Sequence, residues 1–380
     1  MSLFAVIGGL ALLLLTLLDV FETIILPRRI TRRFRLSRAF YRLTWRPWSL
    51  AARWIRNSNR RESYLSFFGP LSLLALFGVW SAALILIFAT LHWAIGSQLN
   101  APNIRPGFWT DLYMSGSTFF TLGLGDVTPR TPAARALTVV EAGIGFGFLA
   151  LLISYLPVLY GAFSRREVNI SLLDARAGSP PSAVELLRRH LQSPNPERLA
   201  DYLRAWETWS AELMESHLSY PVLCYFRSQH NNQSWLAALT TILDTCAFLI
   251  AHTEGSVRWQ AQLTFAISRH AIVDLAQVLN CPPRAPSMDR LPATDLEKLH
   301  ALVAAAKVPM CASHDDKKLS ELRQLYEPYI EAMSARLLMP VSPWSVPSRR
   351  ADNWRTSAWA RASTEIEPAP QQGATDDQHA

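Results

Sequence analysis

The sequence predicts an all-α membrane protein with three transmembrane helices, a short re-entrant helix and extended segment between the second and third, and a cytoplasmic α-helical domain behind them. Three observations carry that prediction. Long apolar runs crowd the front of the 380-residue chain; a dense arginine run without acids separates the first two; and from Arg166 onward the sequence turns polar, with helical periodicity broken by turn signals. A chain of this length can hold a membrane part and a separate soluble part.

The net charge of +7 is unevenly placed. Residues 1–163 hold 15 Arg, no Lys and 6 acids, or +9, and the remainder holds 22 basic and 24 acidic residues, or −2. The second part lacks the basic patch a DNA or RNA surface demands, so nucleic acid is excluded as a partner. Cys224, Cys246, Cys281 and Cys311 all lie in that part, without CxxC spacing or a nearby His pair of zinc-ligand type. They are expected to be reduced thiols.

The first unit, residues 1–27, contains an apolar stretch from Leu3 to Leu26 long enough to cross a hydrocarbon core of about 30 Å. No basic residue precedes it, and Pro27-Arg28-Arg29 follow, which disfavours a cleaved signal peptide. An uncleaved span with its N-terminus outside is expected. Asp19 and Glu22 interrupt its inner end on one helix face, pointing either into the bundle toward an Arg or to the headgroup layer.

Residues 28–65 form a basic segment. Twelve Arg and no acid fall between Arg28 and Arg61, which places this segment in the cytoplasm. Arg35, Arg38, Arg42, Arg46, Arg53, Arg56 and Arg60 recur at helical spacing with Leu36, Phe40, Leu43 and Trp54 opposite, and Pro47 interrupts the pattern. Two readings stand: a helix in the inner headgroup layer with arginines on anionic lipids, or a solvated charge run.

The unit 66–163 begins with the uncharged run Phe67 to Leu91, directed outward, and closes with Ala136 to Phe163, directed inward. Arg165-Arg166 follow the last span on the same side as the first cluster, so the C-terminus is expected in the cytoplasm. Between the spans lies a segment from Phe108 to Pro129 too short and polar to span twice. A short helix over about 108–119 followed by an extended climb through Thr121-Leu122-Gly123-Leu124-Gly125-Asp126 fits its length. Irregular backbone at membrane depth needs protein or a water-filled path around it. Glycines at 123 and 125 let alternate residues adopt conformations closed to other side chains, so successive carbonyls can face one axis.

This hexapeptide, preceded by an aromatic-rich helix and flanked by two spans, resembles the pore module of the potassium channel superfamily, in particular that of bacterial two-span and two-pore-type channels. The resemblance covers residues 66–163. It implies a filter in which the carbonyls of Thr121, Leu122, Gly123 and Leu124 bind permeant K+, Gly125 completes the turn and Asp126 sits at the outer mouth, tied to the pore helix. It implies no cofactor beyond that ion. One filter segment per chain implies a homotetramer. Two departures bear on the degree of potassium over sodium selectivity: Leu122 stands where Val is usual, and Leu124 where Tyr or Phe is usual.

Within the third span, Gly143, Gly145 and Pro157 are hinge candidates, with close packing through small residues as the alternative for the glycines. Glu141 lies at the depth of the filter, where a buried carboxylate requires a partner or a proton; an ion-ligand role is not assigned to it. Residues 164–339 are expected to form about six helices, including Trp235 to Ala251 as a buried core helix rather than a fourth span, because it is short and carries Asp244. Residues 340–380 are expected to be disordered.

The sequence thus reads as a multi-pass subunit of a potassium-preferring channel of the plasma or inner membrane, not an enzyme, since no nucleophile, base and orienting group stand together. The alternatives are a weakly selective cation channel, or a non-conducting signalling or scaffold protein that keeps the pore fold.

Overall fold

The computed structural model describes residues 3–26, 35–96, 99–100, 107–191, 197–230, 232–305 and 315–345. The arginines at 28–33, Cys311 and residues 346–380, all subjects of the expectations above, lie outside the described residues.

The front of the chain comprises α1 (Leu3–Ile24), α2 (Leu36–Trp54), α3 (Ser58–Ser66), α4 (Phe68–Ala94), α5 (Phe108–Phe119) and α6 (Pro132–Ala177). Two short strands, β1 (Leu99–Asn100) and β2 (Thr128–Pro129), pair antiparallel with Leu99 opposite Pro129. They tie the two ends of the segment that holds α5. Local sequence sets the helix starts. Asn57 accepts from the Arg60 amide ahead of α3, and Thr131 accepts from the Ala134 amide ahead of α6, with Pro132 in the first turn.

The rear of the chain holds α7 (Ala183–Leu191), α8 (Glu197–Ser219), a 3-10 turn (Pro221–Tyr225), α9 (Trp235–His252), α10 (Gly255–Val278), α11 (Ala293–Ala304), α12 (Asp316–Gln324) and α13 (Glu327–Leu337). Seven α-helices thus stand among the described residues where about six were expected. The unit does not stop at Met339: Trp344 is fully buried, its amide donates to the Arg290 carbonyl, and its carbonyl accepts from Val184. With the Ser342 carbonyl accepting from Arg290 as well, residues 340–345 lie on the domain, against the expected disorder from 340.

Among the described residues, four helices are long and apolar enough to cross a membrane: α1, the 58–94 unit, α6 and α9. Burial separates them. The apolar window of α9 is 100% buried inside the protein, against 22% in α1, 44% in 58–94 and 17% in α6. Every residue of α9 is buried, and Ser234 caps its start by accepting from the Ala237 amide. Its one acid, Asp244, receives both Arg290 Nη groups, at 3.2 and 2.5 Å, and the Tyr326 hydroxyl at 2.6 Å. So partnered, the buried carboxylate is not left without compensation.

Asp19 is turned into the bundle. It accepts from the Ser37 amide and Trp80 Nε1, both at 3.0 Å, and Arg35 Nε stands 3.8 Å from Asp19 and 3.5 Å from Glu22. One carboxylate therefore joins α1, the start of α2 and α4. Arg35 serves these acids and leaves the arginine stripe in which the sequence placed it.

The two-faced pattern read for the basic segment becomes three-faced. Tyr41, Trp45, Trp48 and Ala52 face protein: Tyr41 stacks on Tyr225, Trp48 stacks on Tyr64, and Trp45 Nε1 donates to the Arg336 carbonyl at 2.9 Å. Leu36, Leu43, Leu50 and Trp54 form an exposed apolar stripe, and Arg38, Arg42, Arg46 and Arg53 an exposed basic one. Phe40 is half-buried against neighbouring helices rather than on the outer stripe. The helix continues through Pro47, which lies on the exposed side, where the carbonyl it leaves unbonded is not sealed in protein.

Candidate functional site

The loop after α5 is built by the way that helix ends. The Leu122 amide donates to the Ser117 carbonyl at 2.8 Å and the Thr121 amide to Thr118 at 3.0 Å, the paired bonds of a Schellman cap. That cap needs a left-handed residue after the helix, usually glycine. Here it is Thr121, at φ 57°. A β-branched residue in that conformation costs about 1–2 kcal/mol, and such strain concentrates where function holds a residue in place.

The left-handed conformation then recurs at every second position, at Gly123 (φ 57°) and Gly125 (φ 79°), while Leu122 and Leu124 between them do not share it. Leu122 and Leu124 are 63% and 64% exposed. At the far end of the loop, the Tyr113 hydroxyl of α5 donates to Asp126 Oδ2 at 2.9 Å.

Behind the loop, three helices meet in a buried polar knot. Ser115 Oγ of α5 donates to Glu141 Oε1 of α6 at 2.5 Å, and His92 Nε2 of α4 lies 3.4 Å from Glu141 Oε2. His92 and Glu141 are fully buried. His92 was missed in the sequence because it sits in an otherwise apolar run, with its partner nearly fifty positions on.

Gly145 lies where α6 crosses the end of α5. A Cβ there would stand 2.9 Å from the Phe119 carbonyl carbon and closer still to its oxygen. Around Gly143, by contrast, an added Cβ meets nothing within 4 Å. Through Gly143, Gly145 and Pro157 the helix is unbroken, and it runs on to Ala177, past the expected end at Phe163.

Arg166, read in the sequence as a flanking charge, is instead buried. It donates to the carbonyls of Leu223 and Phe226, each at 3.0 Å, contacts Glu167, and has Nη1 3.1 Å from His217 Nε2. Phe226 also packs on Phe163 and Tyr160, and a Cβ on Gly69 of α4 would stand 2.6 Å from its ring. The segment around the 3-10 turn is thus wedged between α4 and α6. Cys224, Cys246 and Cys281 are free and buried, and burial pushes the Cys224 thiol up to about 12.

Apolar helices exposed to their surroundings, the short α5 packed against α4 and α6, and a loop of alternating backbone handedness are features of a membrane protein with a channel-type pore module. Residues 76–159 match the family model described as ion channel, and the resemblance read from the sequence is borne out over that range. The chain is 22% identical over 283 residues to the uncharacterized membrane protein YdjJ of Bacillus subtilis (strain 168), covering 72% of this chain and 80% of that protein. No solved structure matches the chain.

Proposed function

We propose that this chain is one subunit of a homotetrameric, potassium-preferring channel whose filter is Thr121-Leu122-Gly123-Leu124-Gly125-Asp126. The observation that carries the reading is the alternation of left-handed residues at 121, 123 and 125 directly after α5. Alternating handedness lets successive carbonyls face one axis, and four such strands would replace the hydration shell of K+ with rings of oxygen, using the carbonyls of Thr121, Leu122, Gly123 and Leu124. Exposure of the loop in a single chain supports assembly, since one strand supplies one wall. The role is transport rather than catalysis.

In this reading α1, α4 and α6 span the membrane, α5 is re-entrant, and α9 is a core helix of the cytoplasmic domain. The N-terminus lies outside and the C-terminus in the cytoplasm of a plasma or inner membrane. The exposed stripes of α2 support a place in the inner headgroup layer, with Leu43, Leu50 and Trp54 in the acyl boundary and Arg38, Arg42, Arg46 and Arg53 on anionic lipid. Gly145 is a packing residue for the end of α5. A hinge, if α6 bends, is left to Gly143 and Pro157. The weakly selective alternative rests on Leu124, which has no hydroxyl to brace the filter.

The test is flux from purified protein in liposomes, with reversal potentials under bi-ionic potassium and sodium conditions. Potassium preference in the parent and silence in assembled Gly123→Ala tetramers are expected. No flux from verified parent tetramers across several voltages and pH values would move the reading to a non-conducting scaffold.

A further inference from the structure

Far from the filter, three side chains of the rear domain converge. His252 in the last turn of α9, His300 in α11 and Asp316 at the start of α12 are 48 and 64 positions apart from His252 in sequence, and no local motif links them. His252 Nε2 and His300 Nε2 are 3.1 Å apart; Asp316 Oδ1 is 3.1 Å from the first and 3.2 Å from the second. The triangle is nearly equilateral. His252 is fully buried, while His300 and Asp316 are 23% and 49% exposed, so one side opens to the surface.

Protons on neutral rings do not satisfy this triangle. His252 Nδ1 lies 3.0 Å from the Phe248 carbonyl, which can only accept, so Nδ1 carries the ring proton. His252 Nε2 then presents a lone pair to the Asp316 carboxylate, and two acceptors face each other at hydrogen-bond distance. The single proton available on His300 Nε2 can serve one of its two neighbours. A cation among the three atoms satisfies all of them.

The dimensions select the cation. An ion with tetrahedral bonds of about 2.0–2.1 Å separates its ligands by about 3.3 Å, within about 0.2 Å of the observed edges. It would sit about 1 Å above the triangle, with its fourth position toward the surface. Two imidazoles and one carboxylate suit zinc and its borderline neighbours, whereas magnesium and calcium call for oxygen ligands. The Phe248 carbonyl supplies the outer hydrogen bond that fixes ring orientation in histidine metal sites.

We propose that His252, His300 and Asp316 form a binding site for a zinc-class divalent ion, which clamps α11 and α12 onto the core helix α9. The test uses tag-free full-length protein in detergent, stripped with a chelator and titrated with Zn2+ or Co2+. Expected are one ion per chain, the visible bands of tetrahedral Co2+ and a melting midpoint that rises with Zn2+. His300→Ala and Asp316→Ala, whose side chains are partly exposed, should remain folded by circular dichroism and lose affinity by at least about tenfold. The proposal is overturned if the parent binds no Zn2+. It is equally overturned if both variants keep the parent's stoichiometry and melting shift, which would put the ion elsewhere.

Discussion

The Tyr113 hydroxyl donates to Asp126 Oδ2 at 2.9 Å, joining the body of α5 to the far end of the loop that follows it. In the proposed filter, Leu124 cannot supply a hydroxyl brace. Tyr113 supplies one a turn and a half into the helix, at the acid rather than at the filter residue itself. Tyr113→Phe removes that bond with little change of shape. The expected result is a several-fold loss of potassium over sodium preference or faster inactivation, read from bi-ionic reversal potentials and sustained current, with tetramer yield unchanged. Parent-like selectivity and current decay in the variant would remove Tyr113 as a brace.

The crossing of α5 and α6 makes a sharper distinction between two glycines. Gly145→Ala drives a methyl group into the Phe119 backbone, which cannot step aside as a flexible side chain could. Overpacking of this kind costs about 1–3 kcal/mol. Gly143→Ala meets open space in the subunit. Thermal melts and size-exclusion profiles should show Gly145→Ala destabilised and poorly assembled and Gly143→Ala close to the parent. Equal tolerance of both would mean that α6 does not press on α5 as described.

How much of this was legible in the sequence differs from place to place. The helix expected over about 108–119 is α5, residue for residue, because a short aromatic helix before a glycine-spaced loop is encoded locally. The left-handed Thr121 was not legible, since its conformation comes from the helix cap and not from its own preference. Arg166 misled because a charge after an apolar run reads as a membrane flank, while its partners Leu223 and Phe226 are 57 and 60 positions away. The third face of α2 was hidden for the same reason: Trp45 bonds a carbonyl 291 positions further on. Periodicity shows that a face exists, and only the folded chain shows what covers it.

Asp244 and Arg290 offer a test of the rear domain. Asp244 is almost fully buried, so Arg290→Met leaves a carboxylate without its charge partner, at a cost of about 3–5 kcal/mol. Replacing both, as Asp244→Leu with Arg290→Met, removes the stranded charge and should recover much of that loss. Denaturation of the purified protein followed by tryptophan fluorescence measures each form. A single variant as stable as the parent would mean the pair carries no weight.

His217 predicts a pH dependence. Burial, and then the neighbouring Arg166 charge, hold its imidazole well below the ordinary 6.5. Folded His217 therefore stays neutral where the unfolded chain takes up a proton, so its contribution to stability is intact above about pH 6.5 and declines as pH falls below it. The slope reaches at most about 1.4 kcal/mol per pH unit. His217→Asn keeps an acceptor for Arg166 and removes the titration. Between pH 7.5 and 5.5 the parent's melting midpoint should fall further than the variant's; identical curves would exclude His217 as a source of acid sensitivity.

The unbroken course of α6 has a mechanical meaning. Its 46 residues make a rod of about 69 Å that begins just after the 121–126 loop and ends within the rear domain. A continuous helix stretches far less readily than a loop tether. A displacement of the rear domain would therefore reach the Gly145–Phe119 contact as tilting of α6, or as bending at Gly143 or Pro157, and not as a change in its length.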